Sequence, residues 1–330
     1  MRRGLAALVA GLLLTALPAH AVEVAVSAAP IASFEGSAVD QPVGKLIFRG
    51  GIALVAQDDT FGGLSGLTVT GPNQQVLFVS DRGNFVSGHL AYDENNRLFG
   101  FIGVTIEPMQ NSKGAPLPRQ YAKDAESVDT VYRNGVPVAA RVAFENLTRV
   151  ADFALTDGIP GGPAREITIP QWLSDLRSND ALESVCVAPP SSPIAGSTLL
   201  ITEGMLDEDG NHPGWLLGQS DKGPIAYAKS ARVDPTECAF LPNGDLLVLE
   251  RGVSMLSFVM HLRRVPAAEV RPGAVMRGEL LLSVTGGAID NMESMTVHTA
   301  PDGETRILIG SDNNFNDWQR SLLLEFALPD

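Results

Sequence analysis

Cysteine is nearly absent from this chain, with two among 330 residues. That excludes a small scaffold stapled by several disulfides. Lysine is almost as scarce, at positions 45, 113, 123, 222 and 229 only, and Lys and Arg together number 24 against 38 Asp and Glu, a formal charge of −14. Nucleic-acid binding rests on basic side chains that neutralise phosphates, so this balance argues against it. It argues equally against adhesion to anionic lipid. The five histidines lack partners at metal-ligand spacing, which speaks against a zinc site.

Long apolar runs are also missing, with one exception. Leu5 to Leu17 follows the positive start Met1-Arg-Arg and is too short to span a bilayer as a folded helix. Ala19-His-Ala after it is a small-x-small cleavage pattern, so residues 1–21 read as a secretory signal peptide cut after Ala21. Its removal takes Arg2 and Arg3 and leaves 22 Lys and Arg against 38 Asp and Glu, a charge of −16. The mature chain, residues 22–330, is expected to be one domain, periplasmic or secreted, with no membrane contact once the signal is cut. No oligomer interface is legible, and a monomer is expected.

What the chain does have is a repeat. Five segments share one layout: Gly62 to Gly83, Asp124 to Val150, Ala181 to Gly204, Pro235 to Gly252, and Asp290 to Asn314. Aligned on Ser65, Glu126, Glu183, Glu237 and Glu293, they recur at intervals of 61, 57, 54 and 56 residues. Each holds a strand, a turn such as Pro242-Asn-Gly or Pro301-Asp-Gly, and a second strand, with further strands in the intervals. Four short strands in every fifty-odd residues is the pattern of a propeller blade. The N-terminal runs Gly44 to Phe48 and Ile52 to Val55, together with Ser321 to Leu328, would make a sixth blade. The expected fold is therefore all-β: a six-bladed β-propeller whose ring is closed by N- and C-terminal strands, leaving no open sheet edge. Gln171 to Ser178 reads as a short helical insertion.

The repeat places acids at strand ends. In an antiparallel hairpin the start of the first strand and the end of the second lie together. Glu126 should therefore meet Glu145, Glu183 meet Glu203, Glu237 meet Glu250, Glu293 meet Asp312, and Ser65 meet Asp81. Nine carboxylates would converge on one funnel and repel one another unless neutralised. Arg82 and Arg251 are candidates, and so is a hard divalent cation, which takes carboxylate and amide oxygens. Asp81, Glu126, Glu183, Glu237, Glu293, Asp312 and the amide of Asn313 are the expected metal ligands, and calcium the expected ion. The rival reading has each acid paired with backbone amides or arginines and no metal.

Other motifs carry less. Ser65 lies in Gly63-Leu-Ser-Gly-Leu, which is not the G-x-S-x-G elbow and precedes a strand, not a helix. Asp207 to His212 lacks the later ligands of a calcium loop and reads as a solvated turn. Cys186 is the third residue after Glu183 and Cys238 the first after Glu237, the same parity on neighbouring blades, so both are expected as buried free thiols.

Several of these stretches resemble the esterase-like, phytase-type propeller family, or phytase-like domain proteins. They are Gly62-Gly-Leu-Ser-Gly-Leu, Val79-Ser-Asp-Arg-Gly, Val142-Ala-Phe-Glu-Asn-Leu-Thr-Arg-Val, Asp290-Asn-Met-Glu-Ser-Met-Thr-Val, Ser311-Asp-Asn-Asn-Phe and Gln319-Arg-Ser-Leu-Leu-Leu-Glu-Phe. The resemblance spans essentially the whole mature chain. It implies an exported propeller, with a metal-dependent hydrolase of small-molecule phosphoesters or carboxylic esters as the expected activity. Glu183 or Glu237 would be the general base, and Arg82 or Arg251 would stabilise developing negative charge. The scarcity of lysine fits a highly phosphorylated substrate poorly. A lactonase, or a non-catalytic binding propeller with a structural metal, remains the alternative.

Overall fold

The computed structural model describes residues 21–178, 181–255 and 257–329. Apart from Ala21, the expected signal peptide lies outside them. Each of the five repeat units opens a mainly antiparallel sheet, the third ending in a short parallel pair with Val275–Met276, and the five sheets stand around one axis. The first blade runs outward through Leu64–Gly71, Gln75–Ser80, Asn84–Tyr92 and Leu98–Pro108. The second comprises Ala125–Arg133, Val136–Phe144, Arg149–Thr156 and Ile159–Ile167. The third comprises Leu182–Val187, Thr198–Thr202, His212–Leu217 and Gly223–Tyr227. The fourth comprises Asp234–Phe240, Leu246–Ser254, Ser257–Val265 and Glu279–Thr285. The innermost strands neighbour one another in order, and that of the fifth blade, Asn291–Thr299, packs against that of the first.

Five blades, not six, make the ring. Downstream of the last hairpin, Asn291–Thr299 with Thr305–Asp312, the chain has room for one more strand, Ser321–Ala327. The N-terminal Leu46–Ala56 pairs with it, antiparallel, and Val26–Ile31 lies outside that. The terminal segments expected to form a blade of their own are thus outer strands of the fifth.

Every sheet is covered on both faces by its neighbours, which is why the second strands (Val76 to Val79, Leu199 to Ile201, Leu246 to Leu249, Ile307 to Ile309) are continuous apolar runs and not alternating ones. Five buried clusters fill the five gaps between blades. Leu247, Leu249 and Met260 meet Ile307, Ile309 and Phe326 in one of them, and Leu199, Ile201 and Leu216 meet Leu246, Val248 and Val265 in another. Truncating such a side chain to Ala costs about 2–5 kcal/mol.

Buried carboxylates also stitch blades. Glu325 accepts from His298 Nε2 at 2.9 Å and Arg306 Nη1 at 3.0 Å in its own blade and from the Tyr92 hydroxyl of the first. Glu250 accepts from the Tyr227 hydroxyl at 2.7 Å across the third–fourth boundary. The expected helical insertion is a single turn, Gln171–Ser174. Among the described residues no helix is long and apolar enough to cross a membrane.

Candidate metal centre

A one-residue slip organises the site. In every blade the innermost strand carries a bulge against its hairpin partner. The unpaired residues are Ser65, Glu126, Glu183, Thr236 and Glu293. Bulges redirect side chains and gather next to functional sites. Just beyond each bulge pair, the second strands present Asp81, Glu145, Glu203, Arg251 and Asp312. The fourth blade therefore contributes Thr236 and Arg251 where the sequence reading placed Glu237 and Glu250.

The remaining acids do come together. Carboxylate oxygens of Asp124, Glu126 and Glu145 lie within 4.8 Å of one another, as do those of Glu145, Glu183 and Glu203. Asp124, two residues before Glu126, enters from the loop leading into the second blade. Arg251 spans the ring: its Nη2 donates to Glu203 at 2.8 Å, and its Nη1 to Glu293 at 2.5 Å and Asn291 Oδ1 at 2.6 Å. Glu203 and Glu293 are thereby neutralised from one side. Asp81, Asp124, Glu126, Glu145, Glu183 and Asp312 have no such cation bonded to them among the described residues.

Their electrostatics record the crowding. Burial, followed by Asp124, Glu293, Glu145 and Asp312, raises Glu126 far above the usual carboxylate range. Burial and the charges of Glu203, Glu126 and Glu145 do the same to Glu183, and burial with Glu293 and Asp81 to Asp312. Asp81 is pushed up to about 6 and Glu145 to about 7, burial leading in both. Burial opposes the charge on Arg251, but Glu293 and Glu203 outweigh it and hold the guanidinium ionised.

The donor set suits a hard divalent cation. It is all oxygen, with no sulfur or imidazole in either carboxylate group. Asp81 Oδ1 is buried without a hydrogen-bond partner, and Glu183, 8% exposed, accepts from no donor among the described residues. A third grouping, Cys186, Glu237 and Cys238, is not a metal site, because its two sulfurs are bonded to each other.

Several expected site residues fall elsewhere. Glu237 sits one residue past its bulge, at the level of Ser127, Ser184 and Ser294. Its Oε1 accepts from Ser127 across the axis at 2.7 Å and from the Cys238 amide at 2.9 Å. It forms the floor beneath the funnel and is 1% exposed. Glu250 faces the blade boundary already described. Asn313 uses its Oδ1 on the amides of Gly63 (3.2 Å) and Phe315 (3.1 Å), which holds the rim loop. Arg82 lies on that rim, its guanidinium stacked 3.3 Å over Phe315.

The slip also corrects the cysteines. Counted from the true bulges, Cys186 is three residues along and Cys238 two, so their side chains face each other. They form a disulfide between the third and fourth inner strands, with Cα atoms 6.0 Å apart.

Sequence comparison fits this architecture. The family described as Phytase-like, esterase-like activity of phytase, matches residues 59–315, and the chain belongs to it. Among curated proteins no relative matches. Similar solved structures are distant in sequence. One is the PQQ-bound aldose sugar dehydrogenase of Streptomyces coelicolor, at 10% identity and a TM-score of 0.46, covering 94% of this chain and 100% of that one. A glucose dehydrogenase has 13% identity and a TM-score of 0.41, over 80% of this chain and 97% of its own. The β-propeller domain of a Myceliophteria thermophila protein has 8% identity and a TM-score of 0.39, over 91% and 99%.

Proposed function

We propose that the chain is an exported, calcium-dependent hydrolase of a small phosphoester or carboxylic ester, working at the carboxylate funnel. The observation that carries this reading is the set of buried and half-buried, closely spaced carboxylates, all but Glu203 without a counter-cation among the described residues, beside one fixed arginine. Asp124, Glu126 and Glu145 would hold the ion, with Asp81, Glu183 and Asp312 within reach of the same mouth. When bound, it would polarise the ester oxygen and acidify a water.

The chain's own groups divide the remaining work. Glu183 faces Glu145 and Glu203, whose charges raise it; with a bound cation offsetting that crowding it would be ionised and would accept a proton from the attacking water. Arg82, exposed on the rim beside Asp81, would draw the anionic part of the substrate inward. Arg251 is committed to Glu203, Glu293 and Asn291 and keeps the ring from repelling itself apart. Glu237, on the channel floor, has no part in proton transfer at the funnel. The disulfide supports export, since such bonds persist in oxidising compartments.

The test is a screen of phosphate release and ester hydrolysis by the mature protein, in excess calcium and in chelator. Calcium-dependent turnover lost in Glu183→Gln supports the reading. Calcium binding without turnover on any substrate favours a structural ion in a non-catalytic propeller.

A further inference from the structure

The inner strands run from the funnel to a second opening on the opposite face. There their C-terminal halves enclose a cavity of about 750 Å³, overhung by the turns at Asn134-Gly135 and Ala195-Gly196. Its volume lies within the range of small-molecule sites. The Glu237–Ser127 contact lies across the axis between the cavity and the funnel, and none of the funnel carboxylates is among the described residues that line the cavity.

The walls are mostly apolar, including Leu67, Val69, Val128 and Met295. Among the described residues Asp129 is the one charged residue that lines the cavity. Its position is built: Oδ1 accepts from the Thr130 amide at 2.7 Å and the Thr68 hydroxyl at 3.1 Å, and Oδ2 from the Val187 amide at 2.7 Å. Among the described residues Oδ2 has only that one donor, which leaves acceptor capacity for a ligand. Opposite it, Thr296 is 6% exposed and lines the same cavity, and its hydroxyl has no hydrogen-bond partner among the described residues. Two aromatic rings, Tyr132 and Phe240, complete the wall.

We propose that this far-mouth cavity binds an organic ammonium ion, with Asp129 as counter-ion, the Thr296 hydroxyl as polar anchor, and Tyr132 and Phe240 against the ligand. A lone fixed carboxylate among aromatic and aliphatic walls selects a cation with an apolar body, because π-faces attract ammonium groups and the surrounding surface rewards its hydrocarbon. The site is independent of the funnel chemistry and stands whether or not a metal binds there.

The experiment is calorimetric titration of the mature protein, in saturating calcium, with benzyltrimethylammonium, and with 3,3-dimethylbutan-1-ol as a neutral probe. One-site binding of the ammonium, at least about tenfold tighter than the alcohol, is expected. It should weaken about tenfold in Asp129→Asn and disappear in Ala239→Trp, which fills the cavity without touching those hydrogen bonds. Glu126→Gln should leave it unchanged. Equal binding of charged and neutral probes, no binding at all, or binding that survives Ala239→Trp and falls with Glu126→Gln overturns the proposal. The last result would locate the cation in the acidic funnel.

Discussion

Glu237 reaches across the propeller axis to Ser127, Oε1 to Oγ 2.7 Å, from a blade that does not adjoin its partner's. That contact lies between the funnel and the far-mouth cavity and marks Glu237 as a floor residue. Burial raises its carboxyl well above the usual range and so favours the neutral form. Glu237→Gln keeps the acceptor for Ser127 and Cys238 and mimics that neutral form. It should leave calcium affinity within about twofold of the parent, whereas Glu126→Gln should weaken it by about tenfold or more. Calcium titration of both variants separates floor from funnel.

Arg251 is the ring's internal counter-ion. Replacing it with Met leaves Glu203 and Glu293 without a counter-cation in a poorly hydrated site, a change that typically costs about 3 kcal/mol. The loss should be largest in chelator and smaller in calcium, because an ion can take over part of the neutralisation. Denaturant unfolding under the two conditions measures it.

Stability of the metal-free protein should fall as pH rises from 5.5 to 8. Asp81 is raised to about 6, Glu145 to about 7, and Glu126, Glu183 and Asp312 well above their ordinary values. Unfolded, these groups titrate near 4, so between the two ranges the folded state holds more protons and each unit of rising pH destabilises it. Calcium favours the ionised carboxylates, so the slope should flatten in its presence. Thermal melts across that window, with chelator and with calcium, show both effects.

The disulfide closes a loop with a sequence separation of 52 residues between adjacent inner strands. Chain-entropy arguments give about 4 kcal/mol for a loop of that size. Cys186→Ser with Cys238→Ser should lower stability by roughly that amount. Calcium affinity should change little, since neither sulfur lies at the funnel. Urea unfolding of the double variant, with and without calcium, tests both halves.

The repeat, the all-β class and the convergence of strand-end acids were legible because turn residues, strand ends and carboxylates recur together. The number of blades was not. The two terminal segments lie at opposite ends of the sequence, and nothing local says that they complete the fifth sheet. The fourth blade misled for a sharper reason. Val248-Leu-Glu-Arg-Gly resembles Val79-Ser-Asp-Arg-Gly, which invites Glu250 into the place of Asp81. The bulge at Thr236 instead puts Arg251 there. A one-residue slip turns every side chain of a strand to the other face. It therefore moved Glu237, Glu250 and Cys238 together, and turned two facing cysteines into two apparent free thiols. Asp124 went unweighted as a ligand because it precedes its strand and lies outside the aligned positions.

The central claim is that the carboxylate funnel binds calcium. Calorimetric titration of the chelator-treated, mature protein with calcium addresses it most directly. The account predicts saturable binding that raises the unfolding temperature by about 5 °C at a hundredfold excess over Kd, lost in Glu126→Gln with Glu183→Gln and preserved in Glu237→Gln. A flat titration from a folded protein, or binding that survives the double substitution, would contradict it.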